Sequence, residues 1–139
     1  MTHDPASLLD HAERVAATAH APYSSFRVGA VAVSADGSLF TGCNVENAAY
    51  GASVCAEVNA ITTAVANGVT QIDTIAVVCL DGVSCTPCGN CRQVMREFGV
   101  KRILLRDSDG APVECTLTDL LPHSFGPDSL PPTSLPESS

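Results

Sequence analysis

Three cysteines of this 139-residue chain fall into two short motifs, Cys55-Ala56-Glu57 and Pro87-Cys88-Gly89-Asn90-Cys91, and any fold it adopts must bring these motifs together. Each motif follows a loop and opens a predicted helix. A helix start presents free backbone N–H groups and a partial positive charge, which favour thiolate over thiol. Cys88 and Cys91 are three positions apart and share one face of a first helical turn, so they can chelate one ion. Cys55 supplies a third sulfur. Three protein ligands with a fourth position open to solvent is the pattern of a catalytic zinc, whereas a structural zinc wants a fourth side chain. None of His3, His11, His20 and His123 lies close in sequence to either motif. Cys79 and Cys85 are nearer and compete for the role. Cys79 falls in a predicted buried strand, and Cys43, Cys85 and Cys115 read as free thiols.

Glu57 adds a geometric condition. Inside a helix, residues two apart point about 200° away from each other. Cys55 and Glu57 share a pocket only if Cys55 sits at the helix boundary with non-helical dihedrals, so the boundary is expected there. Arg92, next to Cys91, is expected to donate to the thiolates and withdraw charge from them. A Cys-x-x-Cys pair alone also suits a redox pair or half of a zinc knuckle, but a redox pair leaves Glu57 without a role. The non-enzymatic alternative is a small zinc-stabilised interaction domain with a closed, four-coordinate site.

The remaining pattern predicts the frame. Asp4-Pro5 caps a helix with Leu8, Ala12, Val15, Ala16 and Ala19 inward, ending near His20. Val28 to Val33 and Ser38 to Cys43 are strands joined by an Asp36-Gly37 turn. After a loop from Asn44 to Ser53, a helix runs from Cys55 to Asn67 with Val58, Ile61 and Val65 inward, and Gly68 stops it. Ile72 to Leu80 is a buried strand and Asp81 to Pro87 a loop. Cys88 to Phe98 is a helix, Val100 to Leu105 a strand, Val113 to Cys115 an edge strand and Leu117 to Leu121 a helical turn. This order gives an α/β fold, a mixed sheet with helices on its faces. Residues 1–125 form the predicted domain. The Pro- and Ser-rich tail from Gly126 to Ser139 is expected to be mobile.

Composition narrows the partner. Acidic residues outnumber basic ones 15 to 7, for a net charge of −8. Nucleic-acid backbones are bound by clustered Lys and Arg, so a nucleic-acid partner is not expected. A small substrate with little negative charge is. No apolar run approaches a membrane span, and Met1 to Ser7 lacks a basic stretch with an apolar core. Cytoplasmic placement is therefore expected. With an odd count of seven cysteines, this makes disulfides the poorer reading.

The two motifs in this order match the three-cysteine form of the zinc deaminase signature. With Pro22-Tyr23-Ser24-Ser25-Phe26-Arg27-Val28-Gly29-Ala30, Gly42-Cys43-Asn44-Val45-Glu46-Asn47-Ala48-Ala49-Tyr50 and the Arg92-Gln93 that follows Cys91, they make the chain resemble the short, homotetrameric cytidine deaminases from about Ser7 to Phe125. The resemblance implies a three-layer sandwich with a five-stranded mixed sheet, and one Zn²⁺ per subunit on Cys55, Cys88 and Cys91. Glu57 is then the catalytic proton carrier. Asn44 and Glu46 hold the ribose hydroxyls, Phe26 packs on the pyrimidine, and Ala56 joins them in binding substrate. Tyr50 and Phe125 reach a neighbouring subunit's site. The implied reaction is hydrolysis of cytidine and deoxycytidine to uridine and deoxyuridine with release of ammonia, in pyrimidine nucleoside salvage. Deamination of another small nucleoside or base is the alternative chemistry. One departure stands out: Val58-Asn59 follow Cys-Ala-Glu where the family commonly has Arg-Thr, which removes a positive group near the thiolates.

Overall fold

The computed structural model describes residues 3–82 and 84–132. Val83, inside the loop expected from Asp81 to Pro87, and residues 133–139 of the tail lie outside the described residues. Helix α1 spans Pro5–Ala16, with Asp4 as its cap accepting from the Ser7 N–H. Strands β1 (Val28–Ser34) and β2 (Leu39–Cys43) form the expected hairpin. Helix α2 (Ala56–Ala66), strand β3 (Ile72–Cys79), helix α3 (Gly89–Glu97), strands β4 (Arg102–Arg106) and β5 (Pro112–Thr116) and the short helix α4 (Leu117–Leu120) follow.

The five strands make one sheet in the order β2-β1-β3-β4-β5. Only the β3–β4 pairing is parallel, and α3 is its crossover. Strand β1 is buried along its whole length because both faces are covered. On one face Val31 and Val33 join Ala76, Val78 and Leu104 against Leu8, Leu9 and Ala12 of α1. On the other, Ala30 and Ala32 join Ile75, Val77, Ile103 and Leu105 against Ala60, Ile61, Cys91 and Met95 of α2 and α3. The sheet alternation thus separates two cores and produces three layers.

Small residues set the spacing of these layers. A Cβ on Gly29 would lie 2.1 Å from the Ala12 carbonyl oxygen, and one on Gly42 would lie 2.3 Å from the Ala60 nitrogen and 2.6 Å from the Ala56 oxygen. Both helices therefore rest on strand backbone. The inward face of α2 is accordingly Ala56, Ala60, Ile61 and Ala64 together with Glu57; Ile61 is inward as expected, whereas Val58 and Val65 are not. Val65 is 38% exposed and Val58 only partly buried, because bulk on the contact face would hold the helix off Gly42. Helix α1 likewise ends at Ala16, short of the expected His20; Val15 is half-buried and Leu9 is the fully buried residue in its place. We expect Gly42→Ala to destabilise the fold by about 3 kcal/mol through backbone overpacking, measured by denaturant unfolding. A change below about 0.5 kcal/mol, the usual range for surface substitutions, would contradict this contact.

Pro127–Ser129 form a 3-10 turn, Gly126 is buried over the Arg96 guanidinium, and Arg96 pairs with Asp128 at 2.7 Å.

Candidate metal centre and active site

Two helix starts meet on one side of the sheet. Cys55 is the cap residue of α2, with extended backbone at φ −72° and ψ 155°, and Cys88 is the cap residue of α3 at φ −69° and ψ 168°. Neither side chain is spent on capping. The extended step at Cys55 turns its sulfur to the side on which Glu57 lies, as the expected boundary requires. Cys91, one turn into α3, is fully buried. The three sulfurs lie within 4.8 Å of one another. Tetrahedral coordination with metal–sulfur bonds of about 2.3 Å sets ligand edges of about 3.8 Å. The Cys55–Cys88 and Cys88–Cys91 sulfur separations are 3.8 Å and 3.4 Å, close to that edge, so this donor set fits one zinc ion. Among the described residues, this is the one group of three or more His, Cys, Asp or Glu side chains placed to hold a metal.

Within the trio, the hydrogen bond from Cys91 holds the Cys55 thiol down at about 6 and pushes Cys91 up. A first deprotonation at Cys55 is what a soft cation needs in order to bind near neutral pH. Glu57 is 5% exposed, and burial pushes its carboxyl above the ordinary range. Hydrogen bonds from its own backbone and from Cys91 oppose the shift without cancelling it. A carboxyl so placed changes protonation state more readily near neutral pH than a solvated one.

Most of the residues singled out from the sequence line one cavity of about 430 Å³: Phe26, Asn44, Glu46, Cys55, Ala56, Glu57 and Cys88. Ser24, Val28, Cys85 and Thr86 complete its wall; of these only Cys85 was considered from the sequence, as a competing or free thiol. Ser24 lies in the stretch from Pro22 to Ala30, but only the fold shows that its hydroxyl bridges Glu46 and the Phe26 N–H. Cys85 is a free thiol with its pKa raised by burial.

Asn44 and Glu46 carry scaffold roles on the cavity wall. Asn44 Oδ1 accepts from the Val28 N–H at 2.8 Å, and its Nδ2 donates to the Phe26 carbonyl at 2.8 Å. Glu46 accepts from the N–H groups of Tyr23 and Ser24 at 3.0 and 3.1 Å and from the Ser24 hydroxyl, which hold its carboxylate below the ordinary range. Asn44 keeps one N–H and Glu46 further lone pairs for a ligand. Asn59 donates to the Cys43 carbonyl at 2.8 Å, tying the helix that carries Glu57 to the strand end that carries Asn44.

Arg92 is placed differently from the sequence expectation. Its Nε donates to the Pro87 carbonyl at 2.8 Å and its Nη1 to the Leu120 carbonyl at 2.7 Å. A step of about 100° along the helix separates it from Cys91, which turns the guanidinium toward α4 rather than the sulfurs. Among the described residues its hydrogen bonds go to these two carbonyls, so it braces the turn before Cys88 instead of bonding a thiolate. Tyr50 and Phe125 stay outside the cavity. Tyr50 is 76% exposed with its ring edge-on to Tyr23, and Phe125 is 59% exposed.

Comparison with known proteins agrees with this geometry. Residues 2–106 match the family model of the cytidine and deoxycytidylate deaminase zinc-binding region. The chain is 43% identical to the cytidine deaminase of Mycobacterium tuberculosis over 126 residues, covering 89% of this chain and 91% of that one. It is 38% identical to the cytidine deaminase of Sporosarcina psychrophila over 129 residues, covering 91% and 95%. The crystal structure of cytidine deaminase from Burkholderia pseudomallei superposes with a TM-score of 0.81 at 43% identity, over 90% of this chain and all of that one.

Proposed function

The chain belongs to the cytidine and deoxycytidylate deaminase family, and from that premise we propose that Glu57 carries every proton of a hydrolytic deamination at the Cys55–Cys88–Cys91 centre. The enzyme is a zinc-dependent cytidine deaminase, converting cytidine and deoxycytidine to uridine and deoxyuridine with release of ammonia. The observation that carries the proposal is a buried carboxyl lining the same cavity as the sulfur cluster.

When bound, zinc acidifies a water molecule and so supplies the nucleophile at neutral pH. Cys55, Cys88 and Cys91 would hold the ion. Glu57 takes a proton from the attacking water and delivers it to ring N3 as oxygen adds at C4. It then passes the second water proton to the exocyclic amine, which leaves as ammonia while the C4 carbonyl forms. Water and cytidine thus balance ammonia and uridine. Phe26 packs against the pyrimidine, and Ala56 closes the pocket beside it. Asn44 and Glu46 meet the ribose hydroxyls with the donor and acceptor capacity left over from their scaffold bonds. A site built to bond a hydroxyl discriminates strongly against a substrate that lacks it.

Tyr50 and Phe125 offer exposed rings beyond the cavity, and in this reading each enters the site of a neighbouring subunit in a homotetramer. Nucleoside salvage in the cytoplasm is the setting proposed for it. Among the described residues, no helix is long and apolar enough to cross a membrane.

The direct test is formation of uridine and ammonia from cytidine, with and without a zinc chelator. Turnover is expected to vanish with the chelator and to return on adding Zn²⁺. Cytosine, adenosine and guanine run in parallel should be poor substrates. Release of ammonia from cytosine but not cytidine would overturn the ribose assignment, and turnover indifferent to chelation would overturn the metal assignment.

A further inference from the structure

Phe26 sits where the chain enters β1, and the residues that hold it there come from the end of β3. The outermost register pair is Val28 with Cys79, and the Leu80 N–H reaches one step further, to the Arg27 carbonyl at 3.0 Å. Next to it Asp81 takes three bonds from a single residue. Its carboxylate accepts from the Arg27 N–H at 2.9 Å, from Nε at 2.9 Å and from Nη2 at 3.0 Å. The peptide that joins Phe26 to Arg27 is thus tied on both sides, its N–H to Asp81 and its carbonyl to Asn44 Nδ2 at 2.8 Å. As an ion pair the contact stabilises the fold little, because the Arg27 and Asp81 side chains are 43% and 29% exposed. Its consequence is geometric. The ring of Phe26 is met by the same loop. A Cβ on Gly82 would lie 2.6 Å from Phe26 Cε2 and 3.1 Å from Cζ. Gly82 does not have a positive φ, so its backbone conformation does not call for glycine. The ring is what excludes a side chain there.

We propose that Asp81 and Gly82 are positioning residues for the base. Asp81 fixes the backbone that carries Phe26, Gly82 backs its ring, and together they set where a pyrimidine comes to rest relative to Glu57. The proposal rests on the reading of Phe26 as the ring that packs against the substrate base. Phe26 lines the cavity with Glu57 and Cys55, whereas Asp81 and Gly82 do not, so both act through Phe26.

Steady-state kinetics of the zinc-loaded enzyme, in two backgrounds, test this. In the parent, Gly82→Ala and Asp81→Ala should each raise KM for cytidine about fivefold, the order of one misplaced aromatic contact, with kcat little changed. Competitive inhibition by uridine should weaken in step. Asp81→Asn keeps one acceptor for the Arg27 N–H and should fall between Asp81→Ala and the parent. Phe26→Ala alone should raise KM about tenfold, and in that background Gly82→Ala and Asp81→Ala should add nothing further, because residues that act through one ring are not additive. Asp81 and Gly82 are exposed, so unfolding midpoints and zinc content of their variants should match the parent. Full KM effects of both variants in the Phe26→Ala background would overturn the positioning role while keeping Phe26 as a base contact. An unchanged KM in Phe26→Ala would remove the ring from the site, and the proposal with it. A parent-like KM in Gly82→Ala or Asp81→Ala would strike that residue from the proposal, and a loss seen only as a lowered midpoint or zinc content would show a structural role instead.

Discussion

Glu57→Gln is expected to keep one zinc per chain and to lower the turnover of cytidine on the order of 10⁴-fold, the upper range for a single general acid–base group. The reason is that one side chain serves every transfer. Glutamine matches the carboxyl in shape and can still hydrogen-bond, but it neither accepts the water proton nor delivers one to N3. Because Glu57 is 5% exposed and lies in the first turn of α2, the neutral isostere removes no packing and leaves no buried charge behind. Folding stability should hold or rise slightly. Zinc content, unfolding midpoint and kcat measured on one preparation separate these effects. Turnover within tenfold of the parent, with zinc retained, would remove Glu57 from the chemistry.

Cys88→Ala should be as damaging by another route. Cys88 is exposed and accepts no capping hydrogen bond, so its sulfur contributes little to the fold. Cys91, fully buried in the core, would confuse loss of metal with loss of packing, which is why Cys88 is the better probe. Without its sulfur the donor set falls to two thiolates, too few for the three-ligand catalytic pattern. Metal activation of water supplies several kcal/mol, so turnover should fall by roughly a thousandfold or more. Zinc measured after dialysis should be substoichiometric. In excess chelator, variant and parent should unfold at nearly the same temperature. A variant that keeps a full zinc complement and full turnover would show that the metal sits elsewhere.

The chemistry of the centre was legible because it rests on local rules. A cysteine pair three apart at a helix start can face only one way, and the Cys55–Glu57 spacing forces a helix boundary at Cys55. The boundary is found at that residue. The hairpin, the order of elements and the mixed sheet follow from alternation, helical period and turn residues in the same way. Three features were not legible. The contact face of α2 is set by how closely it approaches Gly42, and hydrophobic bulk at Val58 and Val65 pointed elsewhere. Arg92 follows Cys91 in sequence, yet its partners are the carbonyls of Pro87 and Leu120, the second brought near by α4. Asn44 and Glu46 spend much of their polarity on the backbone of residues 23–28, a debt that a list of side chains does not show.

The contact of α2 with Gly42 and the Asn59 bond to Cys43 make the cavity an asymmetric mould. The base-processing wall and the strand end bearing Asn44 are cast as one piece, and neither can be widened without moving the other. The stretch from Tyr23 to Phe26 is joined to this piece through the side chains of Glu46 and Asn44, and the rings of Tyr23 and Phe26 are exposed. Reshaping the enzyme for nucleosides with altered sugars would therefore succeed by rebuilding that stretch, where changes at Ser24 or Phe26 alter the room available while the machinery opposite stays in register.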